Sequence, residues 1–205
     1  MDQHDLIKEI GHIRSIMERS SKFISISGLS GVLIGLYALI GGALAYIKAY
    51  GFESGFDYRD HYVTDPGVVD YLVIVALSVL LTSLITGVLM AKRKAKKIKQ
   101  SVWNPTSKSL LVALAVPLLT GGIFAVILIA KGYYGLIASS LLIFYGLALV
   151  SGSVYTFKEV KWLGLLEIML GLVALSAPGY GLWFWVAGFG VLHIIYGFIV
   201  FKKYE

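Results

Sequence analysis

The 205-residue chain has no cysteine. Disulfides, thiolate metal sites and thiol nucleophiles are therefore excluded, and cysteine usage gives no clue to the redox state of its compartment. Charge is scarce as well. Asp, Glu, Lys and Arg make up 15% of the residues, where a soluble domain carries about 25%. Only four histidines occur, His4, His12, His61 and His193. They fall in separate segments, so no set of ligands converges as a zinc or di-iron centre requires. A phosphate-binding glycine loop with its lysine, a nucleophile elbow and an HExxH motif are all missing. These absences lead to the expectation of a non-catalytic protein without cofactor or metal.

What is abundant is apolar sequence: 58% of residues are hydrophobic, and mean hydropathy is +0.80. A membrane span takes about 20 apolar residues. The expected fold is an all-α membrane bundle of six spans, at about residues 24–47, 68–90, 109–130, 136–155, 162–176 and 182–201. A cytoplasmic amphipathic helix, residues 1–22, precedes this unit of residues 23–205. No cleavable signal peptide is expected, because the first 22 residues are charged and amphipathic.

In that first helix Leu6, Ile10, Ile13 and Met17 recur at helical spacing. Lys8, Arg14, Arg19 and Lys22 balance Asp2, Asp5, Glu9 and Glu18. A helix built to grip anionic lipid is strongly basic, so this apolar face suits an interfacial lead-in, a cytoplasmic partner protein or a second copy of the chain. The loop at residues 48–67 mixes aromatics with Asp57, Asp60, His61 and Asp65. It reads as an interfacial aromatic belt with solvated acids, or alternatively as a hard-cation site. Residues 92–108 hold seven lysines and arginines and no acid. Next to a membrane helix such a cluster is a cytoplasmic marker that can bind anionic headgroups near Lys92 to Lys108. Nucleic acid is not expected as a partner.

The spans carry small and polar residues in register. Ser27, Gly31, Gly35 and Gly42 line one side of the first span, a small-xxx-small seam. Ser78, Thr82 and Thr86 form a stripe on the second, and Pro117 lies inside the third. In the terminal hairpin, Gly164, Glu167 and Gly171 repeat the spacing of Gly190, His193 and Gly197. Folded back at Pro178-Gly179, the two arms bring Glu167 to His193, and the register then predicts Gly171 against Gly190 and Gly164 against Gly197. Glu167 and His193 are the carboxylate and imidazole deep in apolar sequence, a default functional position. They can equally satisfy one another through a direct or one-water hydrogen bond. A faint likeness links the first and fourth spans, Leu36-Tyr37-Ala38-Leu39 with Phe144-Tyr145-Gly146-Leu147.

The run Gly11-His12-Ile13-Arg14-Ser15-Ile16-Met17-Glu18-Arg19-Ser20-Ser21-Lys22-Phe23, followed by Ser27-Gly28-Leu29-Ser30-Gly31, resembles the opening of a group of uncharacterised bacterial six-span inner-membrane proteins. The glycine-spaced hairpin with its proline turn is similar to the acid-resistance membrane protein family. Both resemblances imply a bacterial inner-membrane location, and neither implies an activity or catalytic residues. Two functions fit the sequence. One is a scaffold or partner-binding subunit acting through its N-terminal helix and glycine seams. The other is a small transporter, channel or proton-responsive element centred on Glu167 and His193.

Fifteen of the eighteen Lys and Arg residues fall on one side of the six-span arrangement, which places both termini in the cytoplasm. Cysteines introduced at Ser54 and Ser101 are therefore expected to react with an impermeant thiol reagent from opposite sides of sealed vesicles. Labelling of both from the same side would refute this topology.

Overall fold

The computed structural model describes residues 27–51, 66–97, 99 and 101–205. The amphipathic segment 1–22 and the acidic cluster Asp57, Asp60, His61 and Asp65 lie outside the described residues. The described residues form helices and turns and contain no strand. The helices are α1 (Gly28–Tyr50), α2 (Pro66–Lys97), α3 (Pro105–Ala130), α4 (Ile137–Gly152), α5 (Lys158–Ser176), α6 (Gly181–Trp185) and α7 (His193–Tyr204). A π-helical segment, Val186–Leu192, joins α6 to α7.

Among the described residues five helical stretches are long and apolar enough to cross a membrane: Gly28–Tyr50, Gly67–Lys97, Pro105–Ala130, Tyr134–Tyr155 and Pro178–Tyr204. This is the make-up of a multi-pass membrane protein. Helix α5 is not among the five, because Lys158, Glu159, Lys161 and Glu167 crowd its 19 residues. Its length, about 28 Å at 1.5 Å per residue, is nonetheless close to a hydrocarbon core of about 30 Å.

Boundaries follow local chemistry. Helix α2 runs beyond its apolar stretch to Lys97, since lysine is a good helix former and its last turns carry cations at the negative end of the dipole. Asn104 starts α3 with a capping box: its side chain accepts from the Ser107 N–H at 2.8 Å, and Ser107 Oγ accepts from the Asn104 N–H at 2.9 Å. Pro117 lies inside α3, which continues to Ala130. That helix ends in a Schellman turn, with the Tyr133 N–H on Leu128 O and Gly132 at φ +77°, a conformation that favours glycine. The hydroxyl stripe on α2 bonds mostly to its own helix, Ser78 to Ile74 O and Thr82 to Ser78 O, while Thr86 reaches Tyr37 Oη on α1.

Packing is organised as two glycine-locked helix pairs, and here one sequence expectation is overturned. The arms of the terminal hairpin do not pack glycine on glycine. Gly190 and Gly197 lie against α1, and Gly164 and Gly171 lie against α4. The hairpin register treated the two arms as each other's partner, but each arm has small residues on an earlier helix to meet. The two contacts have nearly the same geometry. A Cβ on Gly35 would stand 2.6 Å from Gly190 O and 2.6 Å from Ile194 Cγ1. A Cβ on Gly146 would stand 2.6 Å from Gly164 O and 2.7 Å from Ile168 Cγ1. Two turns along, Gly197 faces Gly28 O and Gly171 faces Ser139 O. Gly31 also meets Gly197, so the seam expected on the first span is occupied by the last.

At the basic end, the side chains of α7 and the residue after it tie the pairs down. The Gly28 N–H, at the start of α1, donates to Glu205 Oε1 at 2.8 Å, and Lys94 of α2 reaches the same oxygen at 3.3 Å. Ser27 makes no capping bond with its side chain, so a carboxylate from the other end of the chain caps this helix. Burial raises the Glu205 pKa, but bonds from Ser27 and Gly28 together with Lys94 outweigh it and hold the carboxyl below its ordinary range. The sign follows: this contribution to stability is present at neutral pH and is lost as pH falls through the lowered value.

Gly35→Ala and Gly146→Ala are each expected to destabilise the protein by about 1–3 kcal/mol, because backbone atoms must give way. Gly87→Ala and Gly122→Ala, where an added Cβ meets nothing within 4 Å, are expected to be neutral or stabilising by up to about 1 kcal/mol. Thermal unfolding in one detergent, compared across the four variants, checks the contrast.

Candidate functional site

The two pairs meet where α5 faces the last span, and the contact there is made by side chains. Glu167 stands on the α5 face that carries Gly164 and Gly171. It is fully buried, and neither carboxyl oxygen has a hydrogen-bond partner. Glu167 Oε1 lies 3.4 Å from His193 Nδ1. The imidazole bonds elsewhere: Nδ1 is 3.0 Å from Gly188 O, and Nε2 is 2.7 Å from Tyr145 Oη. A carbonyl only accepts, so Nδ1 carries the proton. In the neutral ring Nε2 then accepts from the Tyr145 hydroxyl.

Each part of this arrangement has a local cause. The π-helical segment gives the last span a wider turn between Val186 and Leu192, and such segments recur at functional sites. His193 follows directly and bonds the carbonyl five residues back. Gly188 leaves room for the carboxyl, since a Cβ on it would stand 2.5 Å from Glu167 Oε2 and would also meet Leu142. Tyr145 comes from α4, the glycine-locked partner of α5, and Phe189 of the π-helical segment packs on both the Tyr145 and His193 rings, at 5.1 and 6.1 Å between centroids. One helix pair supplies Glu167 and Tyr145, and the other supplies His193 and Gly188.

The sequence pointed to Glu167 and His193 by their depth and their common spacing. Tyr145 and Gly188 were missed. A tyrosine within an apolar span is ordinary in sequence, although its place in the Phe144-Tyr145-Gly146 run sets it beside a packing glycine. Nothing in the residue types marks the π-helical segment. Gly31, Gly35, Gly164, Gly171, Gly190 and Gly197 all serve contacts within the chain. Leu6, Ile10, Ile13 and Met17 are outside the described residues. Among those residues no group of three or more His, Cys, Asp or Glu side chains could hold a metal ion.

Chemically, one N–H faces two acceptors. The Nδ1–H of His193 bonds Gly188 O at 3.0 Å, while Glu167 Oε1 stands 3.4 Å from the same nitrogen. A hydrogen bond to an ionised acceptor is about twice as strong as one to a neutral acceptor. With Glu167 as the acid, the carbonyl keeps the N–H. With Glu167 as the carboxylate, the N–H has reason to swing to it, and Gly188 O loses the imidazole bond.

Gly188→Ala is expected to displace the carboxyl and cost about 1–3 kcal/mol. Combined with Glu167→Ala it should cost less than the sum of the two single changes, by at least about 0.5 kcal/mol. Strict additivity in unfolding measurements would mean that Gly188 is not there to seat the carboxyl. No protein-family model matches the chain, and no curated protein or solved structure does, so the function has to be read from this site and what surrounds it.

Proposed function

We propose that this chain is a proton-responsive, non-catalytic membrane protein in which Glu167 binds an exchangeable proton at the contact between two helix pairs. The observation that carries this reading is the fully buried carboxyl with no hydrogen-bond partner on either oxygen. An ionised carboxylate is far costlier to bury without donors than its neutral acid. The arrangement described, with the His193 N–H on Gly188 O, is therefore the one that a proton on Glu167 favours. Loss of that proton recruits the N–H to Glu167, takes the imidazole bond from a carbonyl in the π-helical segment, and so couples the charge of one side chain to the backbone of the last span. Tyr145 acts as a positioning residue by holding Nε2 as an acceptor. The titratable groups around the carboxyl are His193 of α7 and Tyr145 of α4.

In this reading α5 completes six spans, and both ends of the chain are cytoplasmic in a bacterial inner membrane, on the strength of the Lys and Arg asymmetry. The glycine seams are spent on contacts inside the chain, which leaves the amphipathic residues 1–22 as the surface for a cytoplasmic partner or a second copy. Lysines and arginines from Lys92 to Lys108 face anionic headgroups.

Infrared spectra of the protein in lipid, taken across a pH series, test the site. A carbonyl-stretch band of a protonated carboxyl is expected, falling in intensity as pH rises and missing in Glu167→Gln. Tyr145→Phe should shift the midpoint of that titration without removing the band. Absence of a Glu167-dependent band at every pH would defeat the proposal.

A further inference from the structure

The hairpin that carries Glu167 and His193 is fastened very differently at its two ends. At one end α5 passes into the last span through Ala177 and the short turn Pro178–Tyr180, so the chain itself holds the two arms together. At the other end no connection exists, and side chains alone close the seam. Lys203 Nζ meets Glu159 Oε1 at 2.6 Å, and the Tyr204 hydroxyl donates to Glu159 Oε2 at 3.0 Å. The Tyr204 ring stacks on Phe157, with centroids 4.1 Å apart and planes at 19°. Glu159 lies eight residues before Glu167 on α5, about 12 Å along the helix axis. At intermediate depth Leu163 and Val200 are buried.

We propose that Glu159, Lys203, Tyr204 and Phe157 form a gate at the cytoplasmic end of this seam, through which protons reach Glu167. The inference rests on the reading of Glu167 as the proton site and on the cytoplasmic orientation of this end. Three features converge on it. Within each helix pair the contact is backbone to backbone at glycine, so each pair moves as a unit. Between α5 and α7, side-chain contacts stand at two depths, the buried carboxyl–imidazole contact and this cluster. Because the far end is tied by the chain, separation of the arms begins at the gate. The Lys203 side chain is 46% exposed, and an ion pair of that kind is held weakly and screened by salt. A glutamate carboxyl and a lysine ammonium are both ionised at neutral pH by their ordinary pKa values. The pair therefore stays charged through neutral pH, and ionic strength rather than pH loosens the gate.

The absence of cysteine permits a direct test on the full chain in lipid. Cysteines at 159 and 203 (E159C with K203C) are bridged by a cleavable bis-thiol reagent. The rate at which the Glu167 carboxyl band shifts on mixing with deuterated buffer is then read by infrared spectroscopy. Bridging is expected to slow the exchange at least tenfold, and cleavage of the bridge to restore it. The opened variant E159Q with K203M, and wild type at high salt, are expected to exchange faster than wild type at low salt. A Glu167 band whose exchange rate is the same bridged, opened and in high salt would overturn the gate while leaving the proton site standing. A wild-type spectrum with no Glu167 band would remove the proton site, and the gate with it.

Discussion

Inside a bilayer the lipid tails are as apolar as the side chains, so burial of apolar surface does not drive one helix onto another. Cohesion must come from close packing and from polar contacts, and this chain uses glycine for the first. Gly35 on Gly190 and Gly146 on Gly164 bring backbones together at distances that leave no space for a Cβ. With α1 packed on the last span and α4 on α5, the two pairs meet where the last span faces both α4 and α5. Glu167, His193, Gly188 and Tyr145 all lie along that junction. Exposed leucines, isoleucines and valines on α2 and α3, such as Leu80, Leu84, Leu119 and Ile123, are the outer surface expected of helices facing lipid.

Two modes of contact thus coexist. Backbone contact within a pair has one good geometry and tolerates little change. Side-chain contact between pairs can be rearranged by moving a proton or a rotamer. A buried carboxyl lacking donors would be a liability in the first kind of contact. In the second, under the proposed function, it would set the balance between two hydrogen-bonding patterns. The two helix pairs supply the competing acceptors, Glu167 from one and Gly188 from the other, so the balance is struck across the junction itself.

The parts of this arrangement that were legible in the sequence are those set by composition and by position along one helix. Long apolar runs marked five of the six expected spans, and the shared spacing of Gly164-Glu167-Gly171 and Gly190-His193-Gly197 brought the carboxyl and the imidazole together. What sequence spacing cannot specify is the choice of neighbour. Gly171 faces the α4 backbone at Ser139, and Gly190 faces Leu39 of α1, because helix–helix partners are selected by three-dimensional fit among all the spans. The π-helical segment escaped for a different reason. Val186 to Leu192 has nothing in its residue types that separates π from α geometry. The hydrogen bonds of His193 depend on that local geometry, so they were hidden along with it. Helix α5 illustrates the opposite failure of simple hydropathy: the charged groups that depress its apolarity include the one at the centre of the site.

The bond from the Gly28 N–H to the Glu205 side chain links residues 177 positions apart in the chain. Synthesis proceeds at about 5–20 residues per second, so roughly 9–35 s separate the arrival of these two groups. Throughout that interval α1 stands in the membrane with its glycine face uncovered, while α4 and α5, adjacent in sequence, can lock together as soon as both are inserted. Packing in the order of synthesis would mature the carboxyl-bearing pair first and complete the imidazole-bearing pair last. During the wait, the bare glycine surface of α1 is the part of the nascent protein most open to a membrane chaperone or to a mistaken neighbour.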